Sequence, residues 1–382
     1  MTELTFADFF AGIGLAKMGL VEAGWEARFA NDIDPKKFEM YRDNFGDTDS
    51  YVVEDVHKLT ASQIPNVTLW WASFPCTDVS LAGYRKGLAG EQSGSLLPLL
   101  VLLDRKDGQR PAIVVLENVT GFATSRGGED FKDTVRELNR LGYSCDVFVL
   151  NAIHFVPQSR PRLFIVGIYD CPVTKDVAGA LAQRDDRFRW RRLSDLMTES
   201  AGLRWVILDM PPVPRRTSSL ANVVEELPES SPRWWSQERV EYLLNQMSAR
   251  HRQLVEDMRS GCEQGYATAY RRMRFGRSMA ELRSDGIAGC LRTPRGGSSR
   301  QILIVAGGGS LRARFMTPTE YARLMGAPSY NINVADNQAY FGFGDAVCVP
   351  VVRWIGQHVL RPAIEALVGG PTIGYTPVRA HD

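Results

Sequence analysis

The stretch Phe6-Ala7-Asp8-Phe9-Phe10-Ala11-Gly12-Ile13-Gly14 closes a run of strand-forming residues on two glycines and then enters a helical-length segment at Leu15. A strand that ends in a glycine turn and opens a helix is the first unit of a doubly wound sheet, where the turn lets backbone approach a ligand at the carboxyl edge of the strands. Asp32 stands twenty residues beyond Gly12, at the end of the second expected strand, where a carboxylate accepts hydrogen bonds from ribose hydroxyls. Both features fit a nucleoside cofactor. The third glycine of the dinucleotide fingerprint would fall on Lys17, so close packing over a pyrophosphate is not supported, and two glycines alone also fit a plain tight turn.

Outward from this unit, short β-rich runs alternate with helical-length segments up to about residue 170. The runs are Leu4 to Phe9, Ala27 to Asn31, Ser50 to Val53, Val67 to Ser73, Ala112 to Leu116, Cys145 to Leu150 and Leu163 to Ile168. Continuous apolar strands need both faces covered, so the pattern predicts βαβ units and a mostly parallel sheet between helices: a doubly wound, Rossmann-like α/β domain. Near residue 184 the texture changes to Arg184, Arg187, Arg189, Arg191 and Arg192, followed by Pro211, Pro212 and Pro214, a helical stretch from Pro232 to Arg259, and a Gly/Ser/Arg-rich run from Gly286 to Gly309. The expected organisation is a catalytic domain over 1–183, a second, smaller and irregular domain over 184–310, and a segment over 311–382 that returns to the first domain with helices at Thr319 to Met325 and Ala346 to Leu367.

With 382 residues, 44% hydrophobic and 23% charged, the composition is that of an ordinary globular protein of two or three domains. No apolar run approaches the ~20 residues of a membrane span, and the first residues lack a basic n-region, so a cytoplasmic location is expected. Six cysteines without a CxxC pair write neither a zinc cage nor a disulfide framework, and no metal is expected. The formal net charge is only +1, yet residues 184–300 hold 21 Arg, no Lys and 15 Asp+Glu, a local charge of +6 that suits a polyanionic partner. Absence of lysine there also fits a bias of genome composition.

Candidate chemistry gathers at strand ends. Ser73-Phe74-Pro75-Cys76-Thr77-Asp78-Val79-Ser80 follows the fourth strand, with Gly83, Gly87, Gly90 and Gly94 after it. A cysteine at the carboxyl edge stands where an active site is expected, although a lone cysteine is also a common buried small hydrophobe. Glu117-Asn118-Val119 ends the fifth strand and should emerge beside Cys76. Gln158-Ser159-Arg160-Pro161-Arg162 precedes the seventh, supplying two guanidiniums. Trp234-Trp235 reads as packing of the small domain, His154 as a strand-end cap, and the cysteines other than Cys76 as inert.

In this order Phe9 to Gly14, Phe74-Pro75-Cys76, Glu117-Asn118-Val119, Gln158 to Arg162, Ala322-Arg323-Leu324-Met325-Gly326-Ala327-Pro328 and Gly344-Asp345-Ala346-Val347 resemble the DNA cytosine-5 methyltransferase family of bacterial and phage type, which carries a variable target-recognition region between its two conserved parts. The resemblance implies that Cys76 adds to carbon 6 of a flipped-out cytosine, that Glu117 meets ring nitrogen 3 and the exocyclic amine, that Asn118 orients the loop, and that Arg160 and Arg162 neutralise charge near the carbonyl. It implies S-adenosylmethionine as cofactor, held by Phe10, Ala11, Gly12, Ile13, Gly14, Asp32, Ile33, Asp55, Val56, Pro75, Asp345 and Val347. Leu15, Ile33, Thr77 and Asp345 depart from the residues usual in the family, Asp345 standing where asparagine is common. For double-stranded DNA the expected contacts are Ser80, Arg292, Thr293, Arg295, Gly296, Gly297, Ser298 and Arg300, because an arginine fork reads guanine bidentately.

The reading that follows is a site-specific, monomeric DNA methyltransferase, with a cognate restriction endonuclease as a separately acting partner. Three alternatives compete: a transfer-RNA methyltransferase of the same fold, a catalytically silent DNA-binding homologue, and a nicotinamide-dependent oxidoreductase, which Lys17 disfavours.

Overall fold

The computed structural model describes residues 3–46, 49–75, 94–185, 187–188, 190–200, 202–274, 276–294 and 300–369. The first unit runs β1 (Thr5–Phe9), α1 (Leu15–Glu22), β2 (Glu26–Asp32), α2 (Pro35–Phe45), β3 (Tyr51–Val53), β4 (Leu69–Ser73), α3 (Leu96–Arg105), β5 (Ile113–Val119), α4 (Glu129–Arg140), β6 (Tyr143–Asn151) and β7 (Pro161–Tyr169). All seven strands read from the sequence are present. They form one sheet in the order β3-β2-β1-β4-β5-β7-β6, with β7 antiparallel to both neighbours and the pairs from β3 to β5 parallel.

Alternation along each strand divides two cores. Phe6, Trp71, Ile113, Val115, Phe164 and Val166 face one side, while Ala7, Phe9, Trp70, Ala72, Val114, Leu116 and Ile165 face the other, under α3 and α4. The chain winds outward from β1 to β3 and then returns to β4 on the opposite side of β1. Loops diverge at such a switch point, and the crevice between them, outside the carboxyl ends of β1 and β4, is where this class of sheet places its ligand.

After β7 come α5 (Val177–Gln183) and α6 (Arg191–Glu199). Their Leu181, Leu193, Leu196 and Met197, with Trp205 and Ile207 beyond, pack into the core under α3 and α4. Packing therefore continues the first unit well past residue 184. The helical stretch expected from Pro232 is two helices, α7 (Gln237–Asn245) and α8 (Ala249–Ser260), started by Ser236 and Ser248, whose hydroxyls accept the N–H groups of Arg239 and His251.

The second unit is more regular than its sequence suggests. It holds β8 (Gly265–Arg274), β9 (Arg277–Arg283), β10 (Ile302–Gly307) and β11 (Ser310–Phe315) in an antiparallel sheet ordered β11-β10-β8-β9. Toward α7 and α8, β8 and β9 turn mostly alanines, Ala267, Ala269 and Ala280 with Leu282, while β10 and β11 add Ile302, Ile304, Leu311 and Ala313, all packed with Val240, Leu243 and Val255. Alanine carries little strand signal, so the alternation was hidden. Because β11 completes the small sheet, the return begins after Phe315 rather than at 311.

The return carries α9 (Pro318–Leu324), α10 (Asp336–Asp345), α11 (Val349–Ile355) and α12 (Arg361–Gly369), the last two joined by a π-turn over Gly356–Leu360. The long C-terminal helix thus starts at Val349, three residues later than expected, because Cys348 is extended and Pro350 occupies the first turn. Thr317 and Glu320 form a capping box at α9, and Glu320 also pairs with Arg314 of β11 at 2.6 Å, both side chains fully buried. This pair fixes the point where the chain re-enters the first unit. Glu320→Gln leaves a buried guanidinium without its counter-charge; urea unfolding is expected to show a loss of about 3–5 kcal/mol.

Candidate active site

Strand register builds the site. Ser73 lies beside Glu117 in the β4–β5 pair, and Val119 lies opposite Arg162 in the β5–β7 pair, so the ends of three strands meet at one edge. Glu117 is 5% exposed, and its Oε1 receives Nε of Arg162 at 3.0 Å. Burial raises the Glu117 pKa above the usual carboxylate range against the opposing pull of Arg162, Arg160 and the Ser73 hydroxyl. A carboxyl poised this way holds a proton more readily than an exposed one.

Asn118 is buried and spans outward from this edge: its Nδ2 donates to the Phe74 carbonyl at 3.0 Å while its Oδ1 accepts from the Val119 amide at 2.8 Å. The backbone leading to Cys76 is thereby anchored to β5 two residues upstream. Cys76 and Ser80 themselves lie outside the described residues, as do Arg295, Gly296, Gly297 and Ser298.

Arg160 does not share the site with Arg162. It is 2% exposed, and its guanidinium donates to the carbonyls of Leu291 (2.7 Å), Gly344 (3.0 Å) and Ala346 (2.6 Å) and to Cys290 Sγ (3.5 Å). The cause is the turn before β7, where Ser159 N–H donates to Ala288 O and Ala152 N–H to Arg160 O, turning the side chain inward. Gln158 does the same work beside it, donating to Leu324 O and accepting from Leu291 N–H. The Gln158–Arg162 run is therefore a clasp between the two units, with Arg162 alone turned to Glu117.

Cys290, expected to be inert, stands against this clasp. Burial pushes its thiol up, but the guanidiniums of Arg160 and Arg162 outweigh it and hold the thiol below its ordinary value. No motif in the sequence marks it; only the fold brings residue 290 to residues 160 and 162.

At the neighbouring edge, Phe10, Gly12 and Gly14 adopt positive φ angles of 57°, 57° and 81°. A side chain at Gly14 would meet Phe45 and Tyr41 at 2.3 and 2.7 Å, so the turn tolerates only glycine there. Asp32 accepts the amides of Gly12 and Asp34, each at 2.9 Å, which locks the turn onto β2. Ile33 is 64% exposed, an apolar side chain at the surface beside the turn. Ile13, Ala11 and Val347 are buried in the surrounding walls. Asp55 caps the turn over Val56–Lys58 by accepting the His57 amide, which lowers its pKa.

Two residues here were not anticipated. Lys37 pairs with Asp345 at 2.9 Å, and although burial pulls its pKa down, Asp32 and Asp345 raise it above the ordinary value. The aspartate that departs from the family's asparagine is thus matched by a lysine from α2. Beneath the turn, Asp8 is buried with neither carboxyl oxygen bonded, and burial together with Asp32 raises its pKa well above the usual range. Exposed Ile33, orphaned Asp8 and the glycine turn together fit a nucleoside bearing a polar, charged tail.

Of the expected DNA contacts, Arg292 is exposed and Thr293 half-buried, both beside Gly344, where an added side chain would meet Thr293 N at 2.5 Å. Arg300 donates to Asn337 Oδ1 at 3.2 Å and lies over Phe315 and Tyr340. Trp235 packs in the small unit's core as expected, whereas Trp234 packs against the larger core cluster, and both carry arginines on their faces. Among the described residues no helix is long and apolar enough to cross a membrane, and no cluster of His, Cys, Asp or Glu is placed to hold a metal ion.

A family model for C-5 cytosine-specific DNA methylases matches residues 4–361, and the chain belongs to that family. It is 25% identical over 365 residues to the type II methyltransferase M.HhaI of Haemophilus parahaemolyticus, covering 94% of this chain and 95% of that one. It is 27% identical to M.DsaV of Dactylococcopsis salina over 94% of this chain and 86% of the relative, and 32% identical to M.Bsp6I of Bacillus sp. over 48% of this chain and 63% of the relative. The fold matches the crystal structure of S. pombe Dnmt2 methyltransferase (TM-score 0.59, 20% identity, 96% of this chain and 99% of that one) and the structure of the Entamoeba histolytica methyltransferase EhMeth (TM-score 0.61, 15% identity, 96% and 99%).

Because Arg160 satisfies carbonyls from two distant segments, Arg160→Lys keeps the charge but cannot reproduce the planar fork. Chemical denaturation is expected to show a loss of about 2–4 kcal/mol, on the scale of a broken buried charge network.

Proposed function

We propose that this protein is a site-specific DNA cytosine-5 methyltransferase that acts on a flipped-out cytosine in duplex DNA through a covalent adduct of Cys76. The observation that carries the reading is the buried Glu117–Arg162 pair at the ends of β5 and β7, directly beside the backbone that leads to Cys76.

Carbon 5 of cytosine is a weak nucleophile. Addition of the Cys76 thiolate to carbon 6 forms a carbon–sulfur bond and pushes the ring electrons toward carbon 5 and ring nitrogen 3. Glu117, with its raised pKa, supplies a proton or a strong hydrogen bond at nitrogen 3, and Arg162 keeps the Glu117 carboxyl in place. Bound S-adenosylmethionine would supply an electrophilic methyl group for carbon 5. Loss of the carbon 5 proton to a base then restores the ring and expels the thiolate. Asp32 would bind the ribose and Ile33 the adenine. The opposite charges of Lys37 and Asp345 suit the carboxylate and ammonium of the amino-acid tail. A bacterial or phage setting, with a separately acting endonuclease and a monomeric enzyme, completes the reading.

Extrusion of the base costs a few kcal/mol and needs contacts along the duplex; Arg292, Thr293, Arg295 and Arg300, with the glycines between them, would provide these from the small unit. Transfer of a labelled methyl group to duplex DNA and to transfer RNA tests the substrate. Label is expected at carbon 5 of cytosine in the duplex, and label in RNA alone would overturn the reading. Cys76→Ser should abolish transfer while duplex binding persists, and Glu117→Gln should lower kcat by about 10²-fold or more, the usual scale of a lost general acid.

A further inference from the structure

The register of the small sheet brings several arginines to one end. Ile302 pairs with Ala269 on one side and with Phe315 on the other, so residue 300, the last part of β8 from Arg271, the β8–β9 turn and the end of β11 all emerge together. On the side covered by α7, this end is an alternation of cations and rings. Arg239 lies 4.0 Å from the centre of the Trp235 ring and Arg271 lies 5.6 Å from it. Trp235 meets Phe315 edge-on at 5.1 Å, and Arg300 lies 5.2 Å above Phe315. Tyr242, 59% exposed, borders Arg271 at 5.8 Å.

These guanidiniums differ from their neighbours in one respect. Arg272 and Arg274 share Glu281, Arg283 has Asp285, and Arg233 has Asp336. Among the described residues no carboxylate lies within ion-pair distance of Arg239 or Arg271; the Nε of Arg271 donates instead to the neutral Gln246 Oε1 at 2.8 Å. Two like charges are thus held against a single indole ring without a counter-ion, at a cost that an anion placed between them would relieve. Burial, and for Arg239 the charge of Arg271 as well, pulls their pKa values down, as expected of cations that lack such an anion.

We infer that Arg239 and Arg271, braced on Trp235, form a clamp for a backbone phosphate of duplex DNA, beside and separate from Arg300. The inference rests on the proposed DNA substrate and adds to it a contact that positions the duplex without reading its sequence. Charge complementarity selects the occupant: a duplex that met Arg300 would present a row of phosphates to the same end of the sheet, and a guanidinium pair takes phosphate oxygens bidentately.

The test measures binding of the full chain to two duplexes, one that it methylates and one of scrambled sequence, by fluorescence anisotropy over about 50–300 mM KCl. Arg239→Gln with Arg271→Gln is expected to weaken both duplexes to the same degree, by about tenfold or more at the lower salt. The slope of log affinity against log salt should become shallower by about 1 to 2, as loss of one or two phosphate contacts requires. Arg239→Lys with Arg271→Lys, which keeps the charge, should restore most of the slope, and thermal unfolding identifies any variant that fails to fold. An unchanged slope in a folded variant, or a loss confined to the methylated sequence, overturns the clamp. Failure of the proposed function looks different: the natural chain would bind duplex with the same salt slope and the same arginine dependence, yet transfer no methyl group to it.

Discussion

A guanidinium buried as deeply as that of Arg160 needs acceptors, and in this chain its two terminal nitrogens find them in two remote segments, while Nε stays without a partner. Leu291 belongs to the stretch between β9 and β10, and Gly344 and Ala346 to the end of α10. The demand for partners pulls the small unit and the C-terminal return onto the turn before β7. Gln158 adds Leu324 and a second bond at Leu291, and Ala288 O receives Ser159 N–H. The return is held to the first units separately, by Tyr330, whose hydroxyl donates to Ile13 O and Met40 O, and by the Lys37–Asp345 pair. The register of β7 against β5 then delivers Arg162 to Glu117.

The Glu117–Arg162 pair shows why a short ion-pair distance does not decide the charge of a carboxyl group. At 3.0 Å the attraction of Arg162 favours the carboxylate, yet removal of water from the fully buried group outweighs it. Were Glu117 exposed, the same contact would leave a permanent anion, useless as an acid near neutral pH. Burial without the pair would leave the side chain free to turn. The combination gives a carboxyl group that is fixed in direction and retains its proton to higher pH.

Much of this was legible in the residues. The central strands of the large sheet announced themselves because β1, β4, β5 and β7 are largely apolar on both faces, and the glycine turn, Asp32 and the strand-end Glu117 fell where the winding of such a sheet puts ligands. The small sheet was not legible, since β8 and β9 turn mostly alanines inward and carry arginines outward, and the more typical strand residues Ile302 and Ile304 of β10 lie beside a Gly/Ser/Arg-rich run that also describes a loop. Nor could spacing separate Arg160 from Arg162. Two residues apart across a proline, they read as twin cations, and only the turn held by Ser159 and Ala152 sends one inward and leaves the other at the site. Lys37 and Cys290 carried no signal because their partners, Asp345 and the two arginines, are more than a hundred residues away in the chain.

Structural and chemical roles are not separable at this edge. Arg160 gives its hydrogen bonds to carbonyls, but its positive field still acts on Glu117 and on Cys290, lowering the pKa of each relative to burial alone. In a water-poor interior such a field decays slowly with distance. The residue that joins the two units therefore also contributes, after burial and Arg162, to the electrostatic balance at Glu117, and any movement of the small unit that loosened Leu291 or Gly344 from Arg160 would shift that contribution.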